Sequence, residues 1–246
     1  MLYEENLQRL YSKLSSTELF TITHEQELHL LKSPAQCAAL NFVFGTFSEI
    51  GLAHARSFFQ EKPFSCIIES NDTDYCELLR TNGYSHQTTM PEMTLSLDKY
   101  TPQPLTDSPK KPHFTVVPVD NYHLFRLWCI TLSKTIALPL PDIIHYNEPL
   151  FTLNNNGITL LLGFFDNEPA ATAMVHVYEN SCCISTMTVS PEWRRNGLGS
   201  AMTHACLQHA IDTKSKSALL LSTAMGRPLY EKIGFIAQRS LSIFAR

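Results

Sequence analysis

The sequence lacks the raw material of several common sites. Its seven cysteines (37, 66, 76, 129, 182, 183 and 206) are scattered, odd in number and form no Cys-x-x-Cys pair. Zinc sites need clustered ligands and disulfide frameworks need even pairing, so the thiols are read as reduced and buried in a cytoplasmic protein, with no metal. There is no long apolar run. The longest, Ile158 to Phe165, contains Gly163 and falls far short of the roughly 20 residues that cross a bilayer. The opening MLYEENLQRL is acidic where a signal peptide needs a basic region followed by an apolar core, so neither export nor a membrane partner is expected. Nor is there a basic excess. A net charge of -4 argues against a nucleic-acid partner held by a general positive surface.

What is present suits a globular protein. Hydrophobic residues make up 44% and charged residues 17% of the chain, with a mean hydropathy of -0.08, enough to bury a core. The charge is uneven: residues 1–112 hold nine basic and fourteen acidic side chains, and the remainder ten and nine. Between Leu97 and His113 runs DKYTPQPLTDSPKKP, with four prolines and no apolar periodicity, the composition of a linker. The expected organisation is an N-terminal domain over 1–99, a linker over 100–112 and a C-terminal domain over 113–246, each of ordinary domain size.

In the C-terminal part, residues 113–119 read as a strand. Residues 121–135 read as a helix with Leu124, Leu127, Trp128 and Leu132 on one side, and a second helix follows over 141–151. Three strand-like runs, 157–165, 170–178 and 182–189, are separated by turn formers and predict an antiparallel meander. A helix from about Gly197, a strand over 218–222, a short helix over 228–233 and a last strand over 235–244 complete the order. The N-terminal part ends alike: strand (64–68), helix (75–81), Gly83-Tyr84, then a strand to about Leu97, against Gly234-Phe235 in the other part. That parallel suggests an old duplication. The fold class is α/β in the mixed, α+β sense.

The informative segment is Met187-Thr188-Val189-Ser190-Pro191-Glu192-Trp193-Arg194-Arg195-Asn196-Gly197-Leu198-Gly199-Ser200, an Arg-x-x-Gly-x-Gly loop between a strand and an amphipathic helix. Glycines there allow close approach of a ligand, and the free N–H groups of a helix start suit a phosphate. No Lys-Ser/Thr follows the glycines, which excludes a nucleotide-triphosphate P-loop, and the antiparallel meander does not suit a dinucleotide-binding unit. About 30 residues on stands Leu229-Tyr230-Glu231-Lys232-Ile233-Gly234-Phe235.

VSPEWRRNGLGSAM and LYEKIGF, in this order and spacing, resemble the two motifs of the GNAT superfamily of acetyl-CoA-dependent N-acetyltransferases over residues 113–246. The resemblance implies a mixed sheet whose fourth and fifth strands splay to hold pantetheine, with acetyl-CoA as the donor. It implies that Met187, Thr188 and Val189 end the fourth strand beside pantetheine. The Val189 amide would then stabilise the oxyanion, an effect worth about 3 kcal/mol for comparable donors. Arg194, Arg195, Asn196, Gly197, Leu198, Gly199 and Ser200 correspond to the pyrophosphate loop, binding mainly through backbone N–H groups. Tyr230 matches the position that gives a proton to the CoA thiolate, mildly uphill from a phenol pKa near 10 to a thiol near 8.5.

The pattern departs from the family on the fourth strand, where many members place a glutamate. Here the strand reads Cys182-Cys183-Ile184-Ser185-Thr186-Met187. His145, Glu148 and His176 are candidate bases elsewhere, none assigned. An acyl-enzyme on Cys182 or Cys183 is conceivable, but adjacent strand residues face opposite ways, and direct attack by the amine is simpler. The N-terminal part looks like a degenerate copy of the same fold, because Gly45 and Gly51 do not form the loop motif and Leu79 stands where Tyr230 does. Its expected duties are to wall an acceptor cleft or support a homodimer. The expectation is an acetyltransferase acting on a primary amine of a small molecule or protein. The alternative is a catalytically inactive acyl-CoA sensor or interaction module.

Overall fold

The computed structural model describes residues 3–17, 19–60, 62–101, 114–153 and 157–246. Most of the linker read from the sequence, residues 102–112, therefore lies outside the described residues, as does His113. In chain order the elements are α1 (Tyr3–Leu14), β1 (Thr21–Glu25), β2 (Leu28–Lys32), β3 (Phe42–Gly45), α2 (Glu49–Phe59), β4 (Ser65–Glu69), α3 (Thr73–Thr81) and β5 (Ser85–Ser96). They continue with β6 (Phe114–Pro118), α4 (Tyr122–Ile136), α5 (Leu140–Thr152), β7 (Ile158–Phe165), β8 (Glu168–Tyr178) and β9 (Ser181–Val189). The last are α6 (Leu198–Asp212), β10 (Ser217–Leu221), α7 (Arg227–Ile233) and β11 (Ile236–Ala245). They form two compact units: Met1–Met93 with Leu221–Gly226 and Ala237–Arg246, and Thr94–Leu220 with Arg227–Ile236.

In the first unit, α1 buries Leu7, Leu10, Tyr11 and Leu14, the i, i+3, i+4, i+7 stripe of an amphipathic helix. The β1–β2 hairpin turns through Gln26 (φ 52°) and Glu27 (φ 63°). Gly45 then passes so close that a Cβ would lie 2.4 Å from the Glu27 carbonyl oxygen, which only glycine permits. β2 pairs antiparallel with β3, β3 parallel with β4, and β4 antiparallel with β11. The last strand, read from the sequence as the end of the C-terminal part, thus joins the first unit. It brings Phe244 into a core with Leu30, Val43, Leu52, Phe59 and Leu79. It also brings Arg239, whose guanidinium meets Glu4, Glu69 and Glu92.

The second unit is built on the meander β6–β7–β8–β9, all antiparallel, with β10 parallel to β9. Asp166 (φ 50°) and Asn167 (φ 66°) close the β7–β8 hairpin, residues that tolerate the left-handed region. Asn121 caps α4 by accepting from the Leu124 N–H at 3.0 Å. The buried Trp128 on that helix donates its Nε1–H to the carbonyls of Leu161 (3.1 Å) and Ala173 (3.3 Å), fixing α4 to the sheet.

The two halves repeat one local device. After α3, Gly83 (φ 83°) lets the Tyr84 N–H reach the Leu79 carbonyl at 2.9 Å; after α7, Gly234 (φ 110°) does the same for Phe235 and Tyr230, also at 2.9 Å. Both are helix ends closed by a left-handed glycine. The matching order β3–α2–β4–α3–β5 and β9–α6–β10–α7–β11 agrees with the duplication read from the sequence.

Candidate functional site: the β9–α6 junction

Three local features meet where β9 runs into α6. The first is a bulge. Thr188 pairs with Thr172 and Ser185 with Met174, so Thr186 and Met187 together oppose Ala173, an extra residue that re-aims the strand. Thr186 sits at φ 47°. Thr172, fully buried, donates its hydroxyl to the Thr186 carbonyl at 2.9 Å and lies 2.7 Å from the Thr188 hydroxyl.

The second is a parting of strands. β9 and β10 pair at Ser181–Ser217, Cys182–Ala218 and Cys183–Leu219 and no further, while β9 continues to Val189. The Ser190 N–H bonds to the Ala170 carbonyl of β8 at 2.8 Å. Because alternate residues of a strand bond to alternate neighbours, the Val189 N–H faces the other edge, from which β10 has departed. The Val189 carbonyl on that edge accepts from Arg194 Nε at 3.0 Å. Arg194 is thereby folded back to brace the turn.

The third is the helix start. Pro191–Trp193 form a tight turn, anchored by Trp193 against Phe165, ring centres 5.1 Å apart. Arg195 (φ 66°) and Gly197 (φ 82°) then swing the chain into α6. Gly197 is its N-cap and offers no side chain to cap it, so the N–H groups of Leu198, Gly199 and Ser200 have no partner within the helix. A Cβ on Gly199 would meet Leu229 Cδ1 at 3.4 Å, whereas one on Gly197 would meet nothing within 4 Å. Gly199 allows α7 to pack close; Gly197 is needed for its backbone angle. Asn196 donates to the Trp193 carbonyl at 3.2 Å.

Beside Gly197 and Ser200 opens a cleft of about 730 Å³, lined also by Tyr100, His204, Leu229 and Lys232. Tyr100 hydrogen-bonds His204 Nδ1 and stacks on its ring. Sequence reading passed over these residues. His204 could have been found, since it lies four residues after Ser200 on the same helix face; Tyr100 fell within the linker and gave no signal. Met187, Thr188 and Val189 do not line this cleft, and neither does Tyr230.

Tyr230 is buried, edge-on to Phe235, and burial, with the Cys206 thiol beside it, raises its pKa well above the usual phenol value. Burial likewise pushes the Cys182 thiol up to about 12, leaving almost no thiolate near neutrality and disfavouring that residue as a nucleophile. Its neighbour Cys183 stands opposite His176 on β8, and both are buried. His145 and Glu148 lie exposed on α5. Among the described residues no group of three or more His, Cys, Asp or Glu could hold a metal ion, and no helix is long and apolar enough to cross a membrane.

The family model described as acetyltransferase (GNAT) domain matches residues 143–245. No curated protein matches the chain in sequence. Among solved structures, a GCN5-related N-acetyltransferase from Kribbella flavida is 14% identical with a TM-score of 0.70, over 96% of this chain and 94% of that one. A GCN5-related N-acetyltransferase from Sphaerobacter thermophilus is 15% identical, TM-score 0.61, over 90% and 80%. A tandem GNAT protein from the clavulanic acid biosynthesis pathway is 12% identical, TM-score 0.62, over 89% and 78%. Residues 143–245 thus match the model of a GNAT acetyltransferase domain, and the chain has the mixed α/β fold of these solved GNAT proteins, a tandem one among them.

Proposed function

We propose that the protein is an N-acetyltransferase that moves an acetyl group from acetyl-CoA to a primary amine of a small molecule or protein by direct attack. The observation that carries this reading is the β9–α6 junction. A bulged strand end, an edge vacated by β10 and an uncapped helix N-terminus converge there. The N–H groups of residues 198–200, with the loop from Arg194, would hold the pyrophosphate through the positive end of α6. The Val189 N–H, turned to the vacated edge, would stabilise the oxyanion.

Tyr230 would serve the departing thiolate. Its raised pKa keeps the phenol protonated and makes full proton transfer more uphill, so its contribution is a hydrogen bond to sulfur that strengthens as charge develops. With no carboxylate on β9, the attacking amine would lose its proton to water or to a group of the acceptor itself.

The second reading, a catalytically inactive acyl-CoA sensor, has one observation in its favour: the burial of Tyr230 beside Cys206, where it could simply pack. Two measurements separate the readings. Thermal unfolding with acetyl-CoA at about 100 times its Kd should raise the midpoint by roughly 5 to 10 °C if the donor binds. Release of free CoA thiol should then appear with some member of a panel of primary amines. A midpoint shift without turnover would favour the sensor, and no shift would sink both.

A further inference from the structure

The 730 Å³ cleft beside Gly197 holds more than a helix start. Ser200 and His204 line it from α6 and Lys232 from α7. Among the described residues the Ser200 hydroxyl, His204 Nε2 and the Lys232 ammonium have no hydrogen-bond partner in the protein, and no carboxylate lines the cleft. Unspent donors beside uncapped N–H groups complement an anion. Tyr100 singles out His204 among them. Its hydroxyl hydrogen-bonds Nδ1 and its ring stacks on the imidazole, which leaves Nε2 as the ring's other polar atom.

The pair works in both protonation states. On a neutral ring with a bare Nδ1 the phenol donates; on an imidazolium Nδ1–H donates and the phenol oxygen accepts. Only the hydroxyl proton turns, so His204 gains a charge without losing its orientation. Burial holds its pKa below the ordinary value, and the ring is neutral at pH 7 until acid or an anion charges it. No other group around it competes for that role. On α7, Arg227 and Glu231 pair with each other at 2.7 Å. Asp98, Glu192 and Arg195 are exposed and do not line the cleft, and Arg194 is folded back on the Val189 carbonyl. Farther along α6, Asp212 accepts from Gln208 at 2.8 Å and lies by His209. Where α6 packs on β8 and β9, burial keeps the neighbouring Cys206 and Cys182 thiols and the Tyr230 phenol protonated.

We propose that His204, oriented by Tyr100, is a donor-binding residue: as the imidazolium it gives Nε2–H to a phosphate of acetyl-CoA, so that donor binding takes up a proton. Tyr100 is the positioning residue. The inference rests on the reading of the β9–α6 junction as the donor site. A charged donor to phosphate is stronger than a neutral one, so the contact tightens as pH falls. Acetyl-CoA offers two sources of phosphate, a pyrophosphate that stays ionised and a phosphomonoester that itself titrates near neutrality.

The test is calorimetric titration of the full chain with acetyl-CoA and, separately, with dephospho-CoA, which keeps the pyrophosphate and lacks the phosphomonoester. Measurements at pH 8 and 5.5, in buffers of different ionisation heat, give affinity and proton uptake together. Between those values the parent should gain about five-fold in affinity relative to His204→Gln, with uptake that the variant lacks. At pH 8 His204→Gln should bind like the parent, whereas a merely structural histidine would already show its loss. His204→Lys, of fixed charge, should bind tightly at both values, and Tyr100→Phe should flatten the slope in part. His204-dependent uptake with both ligands places the contact on the pyrophosphate; uptake with acetyl-CoA alone places it on the phosphomonoester. An identical slope in the parent and His204→Gln with both ligands would overturn the inference and leave the donor site standing. No binding of acetyl-CoA at either pH would sink the proposed function and this inference with it.

Discussion

Thr188 donates its hydroxyl to Thr172 across β8 and β9 at 2.7 Å, because Thr172 spends its own proton on the Thr186 carbonyl at 2.9 Å. The pair clamps the bulge at its left-handed residue. Thr172→Val keeps the shape of a fully buried side chain and deletes the clamp, leaving the half-buried Thr188 hydroxyl and Thr186 carbonyl without it. The expected cost is about 1 to 3 kcal/mol in urea unfolding, with weaker acetyl-CoA binding as the strand end loosens. Unchanged stability and affinity would show that the bulge holds without it.

Gly197 separates backbone conformation from side-chain space. A Cβ there meets nothing, yet φ is +82°, so Gly197→Ala should cost about 1 to 2 kcal/mol through strain alone. Gly197→Asn should cost less, since asparagine tolerates the left-handed region. Acetyl-CoA affinity measured by calorimetry should fall in the same order, alanine below asparagine below glycine. An alanine variant that binds like the parent would remove the loop angle from the account of the site.

Tyr230→Phe should leave acetyl-CoA affinity intact and lower turnover by about 10²-fold. The pH profile is a sharper reading. Because burial raises the phenol pKa above its usual value near 10, the hydroxyl stays protonated through pH 9. Turnover should therefore rise with pH as the amine substrate loses its proton, then level off, with no alkaline decline from this residue. A phenylalanine variant of undiminished turnover would reduce Tyr230 to packing.

Where signals are local, the sequence was readable. Asn121 before an apolar helix pattern, Asp166-Asn167 between two apolar runs, and Gly-aromatic after a short helix each specify a structure within a few residues, and α4, the β7–β8 turn and the ends of α3 and α7 follow them. Little marked β1 to α2. The turn at Gln26-Glu27 uses positive φ without glycine or asparagine, and strands of four or five residues give scant alternation. The bulge at Thr186 has no glycine either. Long-range choices were invisible: that β11 pairs with β4, and that Tyr100 meets His204 across 104 positions, depend on packing that no window of sequence contains.

Acidification should weaken the fold before the carboxylates titrate. Burial holds the imidazoles of His29, His204 and His209 below the ordinary value, with His24 adding to the effect on His29 and Asp212 partly opposing it on His209. The unfolded chain thus takes up protons more readily, so the stability these groups contribute is complete above pH about 6.5 and is lost as pH falls through their lowered folded values. The unfolding midpoint should be flat from pH 8 to 7 and decline by pH 5.5. The decline should be shallower in His204→Gln. A midpoint that rises over that interval would contradict the sign.

The C-terminal strand should be indispensable to the N-terminal residues. β11 pairs with β4 at five positions, from Leu241–Glu69 to Ala245–Ser65, and Leu241 and Phe244 are fully buried. Removing one buried phenylalanine side chain costs about 3 to 5 kcal/mol, against a whole-domain stability of roughly 5 to 15, and the strand takes with it the Arg239 partner of the buried Glu92. A chain ending at Phe235 should therefore lose hydrogen-exchange protection throughout β4, α2 and α3, and a synthetic peptide of residues 236–246 added in trans should restore it in part. Native protection of β4 in the truncated chain would mean that the first unit is held together by its own N-terminal residues and that β11 merely covers an edge.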